Sequence, residues 1–210
     1  MTVNRRFVKF KFEKTNDNLK LNHENIINVL FYSEKNLLLS NGLSNEKKLA
    51  KFLKKIIENN LASTCIVRSE KGMFLLINRK DHKSDLTNKY LEDLGGSIFN
   101  QTKSIGCSEV RIFENDQYLN RQIALGILLS SYKFNNYKKN KSKDTVHIKN
   151  VTFICDEPKM LSQNILEIKN IANGVFTARD LVWQPPNILF PLSFANECKK
   201  LKKIGVKVTI

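Results

Sequence analysis

The chain has 210 residues and a formal net charge of +15, and its length fits one domain of ordinary size or one domain plus a small appendage. A hydrophobic share of 41% is enough for a core and argues against disorder. No stretch approaches 18 consecutive apolar residues, so the sequence excludes a membrane-spanning helix and a membrane partner. No apolar run follows Arg5 and Arg6 either, so we expect no secretory leader and a cytoplasmic protein.

Apolar periodicity predicts alternating strands and helices in the first half of the chain. The predicted strands cover residues 5–13, 26–32, 64–67 and 73–77. A helix follows the turn at Asn41-Gly42, with Ser44 or Asn45 as its cap. Its apolar stripe consists of Leu49, Phe52, Leu53, Ile56 and Ile57. A second helix over 86–99 is expected to be weak or broken at Gly95-Gly96, because glycine is a poor helix former.

The second half continues the alternation. We predict strands over 110–113 and 151–155, helices over 119–132, 161–182 and 191–204, and the beginning of a strand over 206–210. Pro185-Pro186 ends the long helix, and Gly205 ends the last one. Strands that alternate with helices predict an α/β fold: a three-layer, macro-domain-like mixed sheet flanked by helices.

The cysteines and histidines form no recognisable metal motif. Cys65, Cys107, Cys155 and Cys198 lie far apart without a CxxC pair, so we favour buried free thiols over disulfides or a metal site. His23, His82 and His147 are scattered in polar surroundings and are expected at the surface.

The densest basic run lies in a polar loop over 135–149. Its lysines are a possible polyanion contact: Lys138, Lys139, Lys141 and Lys143. The alternative is that lysine is simply abundant and dispersed throughout the chain, together with asparagine. We favour that alternative, because no glycine-rich or aromatic recognition pattern surrounds the run.

Two motifs carry a family resemblance. The first is Gly126-x-x-Leu129-x-x-Tyr132-x-Phe134-x-x-Tyr137-Lys138. The second is the junction signature, whose shared residues are Ala178, Arg179, Asp180, Leu181, Val182, Pro185, Pro186 and Asn187. In this order and spacing the motifs resemble the leucyl (cytosol) aminopeptidase family, peptidase family M17. The chain has Trp183-Gln184 where the family pattern has Asn-Glu, so we expect altered packing of the junction against a catalytic domain.

The resemblance implies a peptidase that releases N-terminal amino acids with two divalent metals, Zn or Mn. The family takes its metal ligands from Gly-Lys-Gly…Phe-Asp-x-Gly-Gly and Asn-Thr-Asp-Ala-Glu-Gly-Arg blocks, and neither block occurs in residues 1–210. The acidic pairs Glu92-Asp93 and Asp156-Glu157 are sequence neighbours whose side chains diverge. We therefore assign no catalytic residue, no metal ligand and no cofactor to this chain, and expect it to be inactive alone.

The resemblance also divides the chain. Residues 1–158 correspond to the family's N-terminal macro-like domain, 159–190 to a junction helix with its Pro-Pro break, and 191–210 to a truncated beginning of the peptidase domain. The favoured function is a non-catalytic N-terminal part of a leucyl aminopeptidase. It would be a truncated or split subunit with an assembly role, and its partner would be a separately encoded catalytic half or the family hexamer.

Two other functions rank below it. The first alternative is a stand-alone basic module that binds nucleic acid, because the charge permits it and some family members bind DNA. The second is an ADP-ribose-type ligand site, by analogy with macro domains. Its only candidate phosphate loop is Leu94-Gly95-Gly96-Ser97, which more simply marks the end of a helix.

Overall fold

The computed structural model of the chain describes residues 8–15, 21, 25–34, 36–38, 46–59, 62–79, 86–137 and 148–210. Several sequence predictions fall outside these residues. They are the turn at Asn41-Gly42, the caps Ser44 and Asn45, the three histidines, and the basic run with its four candidate lysines.

Seven strands and five α-helices alternate along the described residues. The strands are β1 (Lys9–Lys14), β2 (Ile26–Ser33), β3 (Asn36–Leu38), β4 (Thr64–Ser69), β5 (Gly72–Asn78), β6 (Glu109–Phe113) and β7 (Asn150–Cys155). The helices are α1 (Lys47–Asn59), α2 (Asn88–Ile105), α3 (Gln117–Ser130), α4 (Pro158–Val182) and α5 (Pro191–Lys199), and a 3₁₀ turn over Lys200–Ile204 follows α5. Each of these helices and all strands except β3 had been predicted.

All seven strands form one mixed sheet in the order β1-β7-β6-β2-β5-β4. Neighbouring strands from β1 to β5 in this order run parallel, whereas β4 pairs antiparallel with β5 at one edge. The short β3 pairs antiparallel with the end of β2, beyond the residues of β2 that pair with β6. β2 is the central strand, and its apolar run is buried along its whole length, as predicted.

Helices cover both faces of the sheet, which confirms the predicted arrangement. On one face, α1 packs Leu49, Leu53 and Ile57 against inward-facing residues of the sheet. On the other face, α2, α3 and the first turns of α4 pack against the alternate residues of the same strands. The later turns of α4 extend this layer by packing Ala172 and Phe176 against α3.

The prediction of a weak or broken helix at Gly95-Gly96 is wrong. α2 runs unbroken from its cap at Thr87 to a left-handed Gly106. Gly95 is buried where α2 crosses α3, and a Cβ there would clash with the backbone of Ile123. The glycines therefore permit close helix packing. Leu94–Ser97 lies in the middle of α2, so it does not form the candidate phosphate loop.

The end of the chain differs from its prediction in one element. Gly205 ends the 3₁₀ turn in a left-handed conformation, as expected, but residues 206–210 form no strand, because no described strand lies alongside them to pair. α4 begins at Pro158, and its buried residues belong to the core of the preceding part. The division of the chain into residues 1–158, 159–190 and 191–210 stays a prediction. None of the described helices is long and apolar enough to span a membrane.

All four cysteines are free. Cys107 and Cys155 are buried as predicted, and burial raises the pKa of both thiols, which keeps them protonated and unreactive. Cys65 and Cys198 are partly exposed, so the prediction of burial is wrong for these two. Cys65 lies on the edge strand β4, and Cys198 lies on α5, which buries no side chain.

Candidate functional site

The two motif segments meet where the end of α4 contacts the end of α3. Arg179 donates a hydrogen bond from Nη1 to the carbonyl oxygen of Leu129, at 2.8 Å. Its guanidinium carbon lies 5.5 Å from the centre of the Tyr132 ring, within the range of a cation–π contact. The Tyr132 hydroxyl donates to Oδ1 of Asp180 at 2.9 Å, and the ring packs against Phe176. The Arg-Asp pair of the junction signature therefore fixes α4 to α3.

A second set of contacts continues this junction toward solvent. The ring of Phe134 stacks on the indole of Trp183, with the centroids 6.4 Å apart, and also contacts Tyr137 at 5.7 Å. The Tyr137 hydroxyl donates a hydrogen bond to Oε1 of Gln184. Both residues that depart from the family pattern, Trp183 and Gln184, thus contact aromatic residues of the first motif.

The Pro-Pro segment turns the chain into α5. The amide groups of Ile188 and Leu189 both donate to the carbonyl oxygen of Pro185, at 2.9 Å each. The Ser193 hydroxyl then accepts a bond from the Phe190 amide at 2.8 Å and so satisfies a donor at the start of α5. This local hydrogen bonding fixes the direction in which the chain leaves the α3–α4 contact.

The other signature residues make less contact with the body of the fold. Leu181 and Pro185 are half-buried, whereas Ala178, Val182, Pro186 and Asn187 are exposed. The structure therefore brings together Arg179 and Asp180 with the first motif. The remaining residues lie along the outer side of the junction.

Comparison with known proteins supports the same family. No protein-family model matches the chain. A probable cytosol aminopeptidase of Brucella ovis is 36% identical over 128 residues, which are 56% of this chain and 25% of that protein. A probable cytosol aminopeptidase 1 of Shewanella oneidensis is 32% identical over 140 residues, 65% of this chain and 27% of that protein. The chain thus spans about a quarter of the length of these relatives.

A solved structure shares the fold. A mutant of tomato leucine aminopeptidase superimposes with a TM-score of 0.70 at 15% sequence identity, over 96% of this chain and 43% of that one. The resemblance to the leucyl aminopeptidases is confirmed. More than half of the tomato aminopeptidase chain has no counterpart in this one.

The described residues offer no donor set that fits the aminopeptidase metal pair. No group of three or more His, Cys, Asp or Glu side chains converges among them. Glu92 and Asp93 line a polar groove of about 500 Å³ between α2 and α3, but they are consecutive on a helix and the Arg179 guanidinium lines the same groove. A fixed positive charge at this position disfavours a divalent cation.

Large apolar side chains are exposed at the last residue of α4 and on the segment that follows it. We call them the junction surface: Val182, Trp183, Ile188, Phe190, Leu192, Phe194, Leu201, Ile204, Val206 and Ile210. Neither α5 nor the 3₁₀ turn buries any of its side chains against the described part of the chain. Many exposed large apolar side chains within one short segment indicate a contact site.

The structure contains a nearly buried ion pair at the carboxyl ends of the parallel strands, and the sequence did not predict it. Arg79 follows β5 and pairs with Glu114, which follows β6, so that the pair bridges the end of the central strand β2. The Arg79 guanidinium lies 5.7 Å from the Phe31 ring centre on that strand. Burial raises the pKa of Glu114, while the guanidinium and two backbone amides oppose the rise. The available signal was that each residue directly follows a parallel strand.

The hydrogen bond between Tyr132 and Asp180 predicts a measurable effect on stability. Replacing Tyr132→Phe should lower the free energy of unfolding by about 1–2 kcal/mol, because a part-buried bond to a carboxylate is lost. The matched control is Tyr137→Phe, whose bond to Gln184 is exposed and should contribute less than about 0.5 kcal/mol. Urea unfolding of both variants measures the difference, and equal losses would contradict the anchoring role of Tyr132.

Proposed function

We propose that this chain is the non-catalytic N-terminal part of a leucyl aminopeptidase and that its junction surface docks the catalytic part. The catalytic part could be further chain of the same polypeptide or a separate subunit of a split enzyme. The observation that carries the proposal is the exposure of ten large apolar side chains on residues 182–210. The chain superimposes over 96% of its length on less than half of tomato leucine aminopeptidase.

The local structure of residues 182–210 supports the proposal that a partner packs against this segment. α5 has only nine residues, fewer than an isolated helix needs to be stable in water. Tertiary packing normally stabilises a helix of this length, and α5 buries no residue against the rest of the described chain. Leu192 and Phe194 lie on α5, and burying either side chain against a partner would contribute about 1.5–3 kcal/mol.

The α3–α4 contact supports the proposal because it fixes the start of the segment that carries the junction surface. Arg179 and Asp180 are held by Leu129 and Tyr132, and the Pro185 turn follows directly. The segment that carries the junction surface therefore leaves α4 in a fixed direction, and this lowers the entropy cost of docking. Trp183 and Gln184 contact Phe134 and Tyr137 beside this surface, so we propose that they adapt it to a partner surface different from the one that the family's Asn-Glu meets.

Co-expression with a catalytic half tests the proposal. This chain, carrying an affinity tag, is produced together with the C-terminal half of the Shewanella oneidensis relative, and hydrolysis of leucine p-nitroanilide is measured with Mn²⁺ or Zn²⁺. We expect co-purification of the two polypeptides and activity that depends on the added half. Activity of this chain alone would contradict a non-catalytic role, and failure to co-purify would contradict docking.

A pair of matched variants locates the contact. Leu192→Asp, on the junction surface, should weaken the complex at least about tenfold, because it places an unpaired charge in an apolar interface. Leu166→Asp is the control, since Leu166 on α4 is 63% exposed and Leu192 is 66% exposed. We expect the control to bind within about twofold of the unchanged chain. Equal losses in both variants would exclude the junction surface as the docking site.

A further inference from the structure

Strand β4 forms one edge of the sheet, and no described strand lies beyond it. The Asn78 amide donates to the carbonyl oxygen of Ser63 at 2.8 Å, directly before the first residue of β4. Every second residue of an antiparallel strand bonds to its neighbour, so Thr64, Ile66 and Arg68 direct their N–H and C=O groups away from β5. These groups form a row that can pair with one more strand.

The two edges of the sheet differ in the charges that they carry. At the opposite edge, β1 exposes Lys9, Lys11 and Lys14, and charged side chains on an edge strand oppose pairing with another chain. β4 has one charged residue among its six, and three of the six are β-branched, the type that favours strands. The β4 edge therefore lacks the charges that keep a sheet edge unpaired.

One face of β4 offers an apolar and a cationic side chain to a strand added at this edge. Ile66 and Arg68 lie opposite Leu75 and Met73 of β5, on the face of the sheet that α2 covers further in. Ile66 is 44% exposed, and the exposed Arg68 forms no ion pair with the described residues. An apolar residue opposite Ile66 would cover its side chain, and a carboxylate opposite Arg68 would form a cross-strand ion pair.

A second exposed apolar side chain lies beside the end of β4. The apolar stripe predicted for α1 includes Phe52, but Phe52 is 45% exposed, so the prediction of burial is wrong for this residue. Its ring lines a surface groove of about 750 Å³ together with Ser69, Glu70 and Lys71, which are the last residue of β4 and the turn that follows it. An added strand would therefore find an apolar side chain on each face of the sheet.

We propose that the β4 edge binds an extended acidic segment of another protein, which adds a strand to the sheet. Hydrogen bonds to the backbone of Thr64, Ile66 and Arg68 would hold the segment, and the side chains of Ile66 and Arg68 would select its sequence. An acidic segment is favoured because this chain has a net charge of +15, whereas a second copy would bring the same charge to the edge. This function is separate from docking at the junction surface, and neither proposal depends on the other.

Amide hydrogen exchange of the full chain tests the backbone pairing. The probe is the synthetic peptide Glu-Thr-Val-Thr-Val-Thr-Glu, whose valines and glutamates share one face of a strand. At saturating peptide, NMR should show exchange at least about tenfold slower for the amides of Thr64, Ile66 and Arg68. The amides of Cys65 and Val67 bond to β5 and should already exchange slowly without the peptide. Unchanged exchange at the three outward amides would overturn strand addition.

A matched pair of variants tests the apolar contact. Fluorescence anisotropy measures binding of the labelled peptide, and thermal unfolding shows that each variant is folded. Ile66→Asp should weaken binding at least about tenfold, because a carboxylate replaces the apolar contact and repels the acidic peptide. The control is Ile171→Asp on α4, which makes the same change of charge at a side chain 43% exposed, and it should bind within about twofold of the unchanged chain. Equal losses in both variants would overturn the β4 edge as the site.

A charge exchange tests the acidic character of the partner. Arg68→Glu should weaken binding of the peptide at least about tenfold, and a peptide with lysine in place of both glutamates should bind this variant at least about tenfold more tightly than the unchanged chain. Lys203→Glu, which changes the net charge equally at another exposed position, should alter neither affinity more than about twofold. Equal effects of Arg68→Glu and Lys203→Glu would overturn the ion pair. Light scattering that shows a dimer of the unchanged chain, lost in Ile66→Asp, would overturn the partner in favour of a second copy.

Discussion

Replacing Gly126→Ala is expected to lower the free energy of unfolding by about 3 kcal/mol, although alanine is the better helix former by about 1 kcal/mol. The reason is the crossing of α2 and α3. A Cβ on Gly126 would lie 2.7 Å from the carbonyl carbon and 2.9 Å from the Cα of Glu92, and closer still to the Glu92 oxygen. These are backbone atoms of α2, so the clash can be relieved only by separating the two helices.

The contact is reciprocal. A Cβ on Gly95 would meet the backbone of Ile123 on α3 and would lie 3.1 Å from the Cα of Gly126. The two glycines therefore form one close approach between the helices. Separating them would also disturb Leu94, Ile98 and Ile123, which fill the core between the helices and the sheet.

Gly174→Ala is the matched control on α4. Apart from the backbone of α4 itself, nothing lies within 4 Å of the Cβ that it would add, so helix propensity alone should act and stabilise the protein by up to about 1 kcal/mol. Urea unfolding followed by circular dichroism measures both variants, and the opposite signs are the decisive result. If Gly126→Ala were also stabilising, the close approach of α2 and α3 would be wrong.

The close crossing of α2 and α3 is a part of the fold that the sequence did not predict. Apolar periodicity predicted every described helix and six of the seven strands, because each element has one buried face or a short apolar run. The same reasoning took Gly95-Gly96 as a helix break. A glycine that permits contact with α3 differs from one that ends a helix only through distant residues, here Ile123 and Gly126, which a local sequence pattern does not contain.

Part of the candidate site could be predicted from the two family motifs. The motif spacing identified Arg179 and Asp180, and the structure shows both contacting the end of α3. The contacts of Trp183 and Gln184 with Phe134 and Tyr137 could not be read from the sequence, because they depend on where α4 passes α3. The exposure of the apolar side chains over 182–210 was not predicted either, since apolar periodicity shows which residues share a face but not whether another element covers that face.

Replacing Arg79→Met is expected to lower the free energy of unfolding by about 3 kcal/mol at neutral pH, because it leaves Glu114 ionised and unpaired. Both side chains of this pair are nearly buried, at 13% and 12% exposed, and methionine retains the stem of the side chain. The matched control is Arg121→Met. Its partner Glu167 is 66% exposed, so the loss should be less than about 1 kcal/mol.

The pH dependence of this loss distinguishes a missing charge from a packing defect. Burial raises the pKa of Glu114, so the folded protein holds its proton more tightly than the unfolded chain, and this contribution to stability is lost as pH rises through the folded pKa. Without the Arg79 guanidinium, which opposes the rise, that pKa moves higher still. The deficit of Arg79→Met should therefore be smaller at about pH 5, where the carboxyl can be protonated, than at about pH 8.

Adding Glu114→Gln to Arg79→Met should remove this difference between the two pH values, because no titrating group is left in the pair. Urea unfolding of the single and double variants at both pH values separates the two causes. An equal deficit for Arg79→Met at both would show that lost packing accounts for it. A deficit that grows with pH and disappears with Glu114→Gln would show that Glu114 needs the opposite charge across β2, which ties the ends of β5 and β6 together.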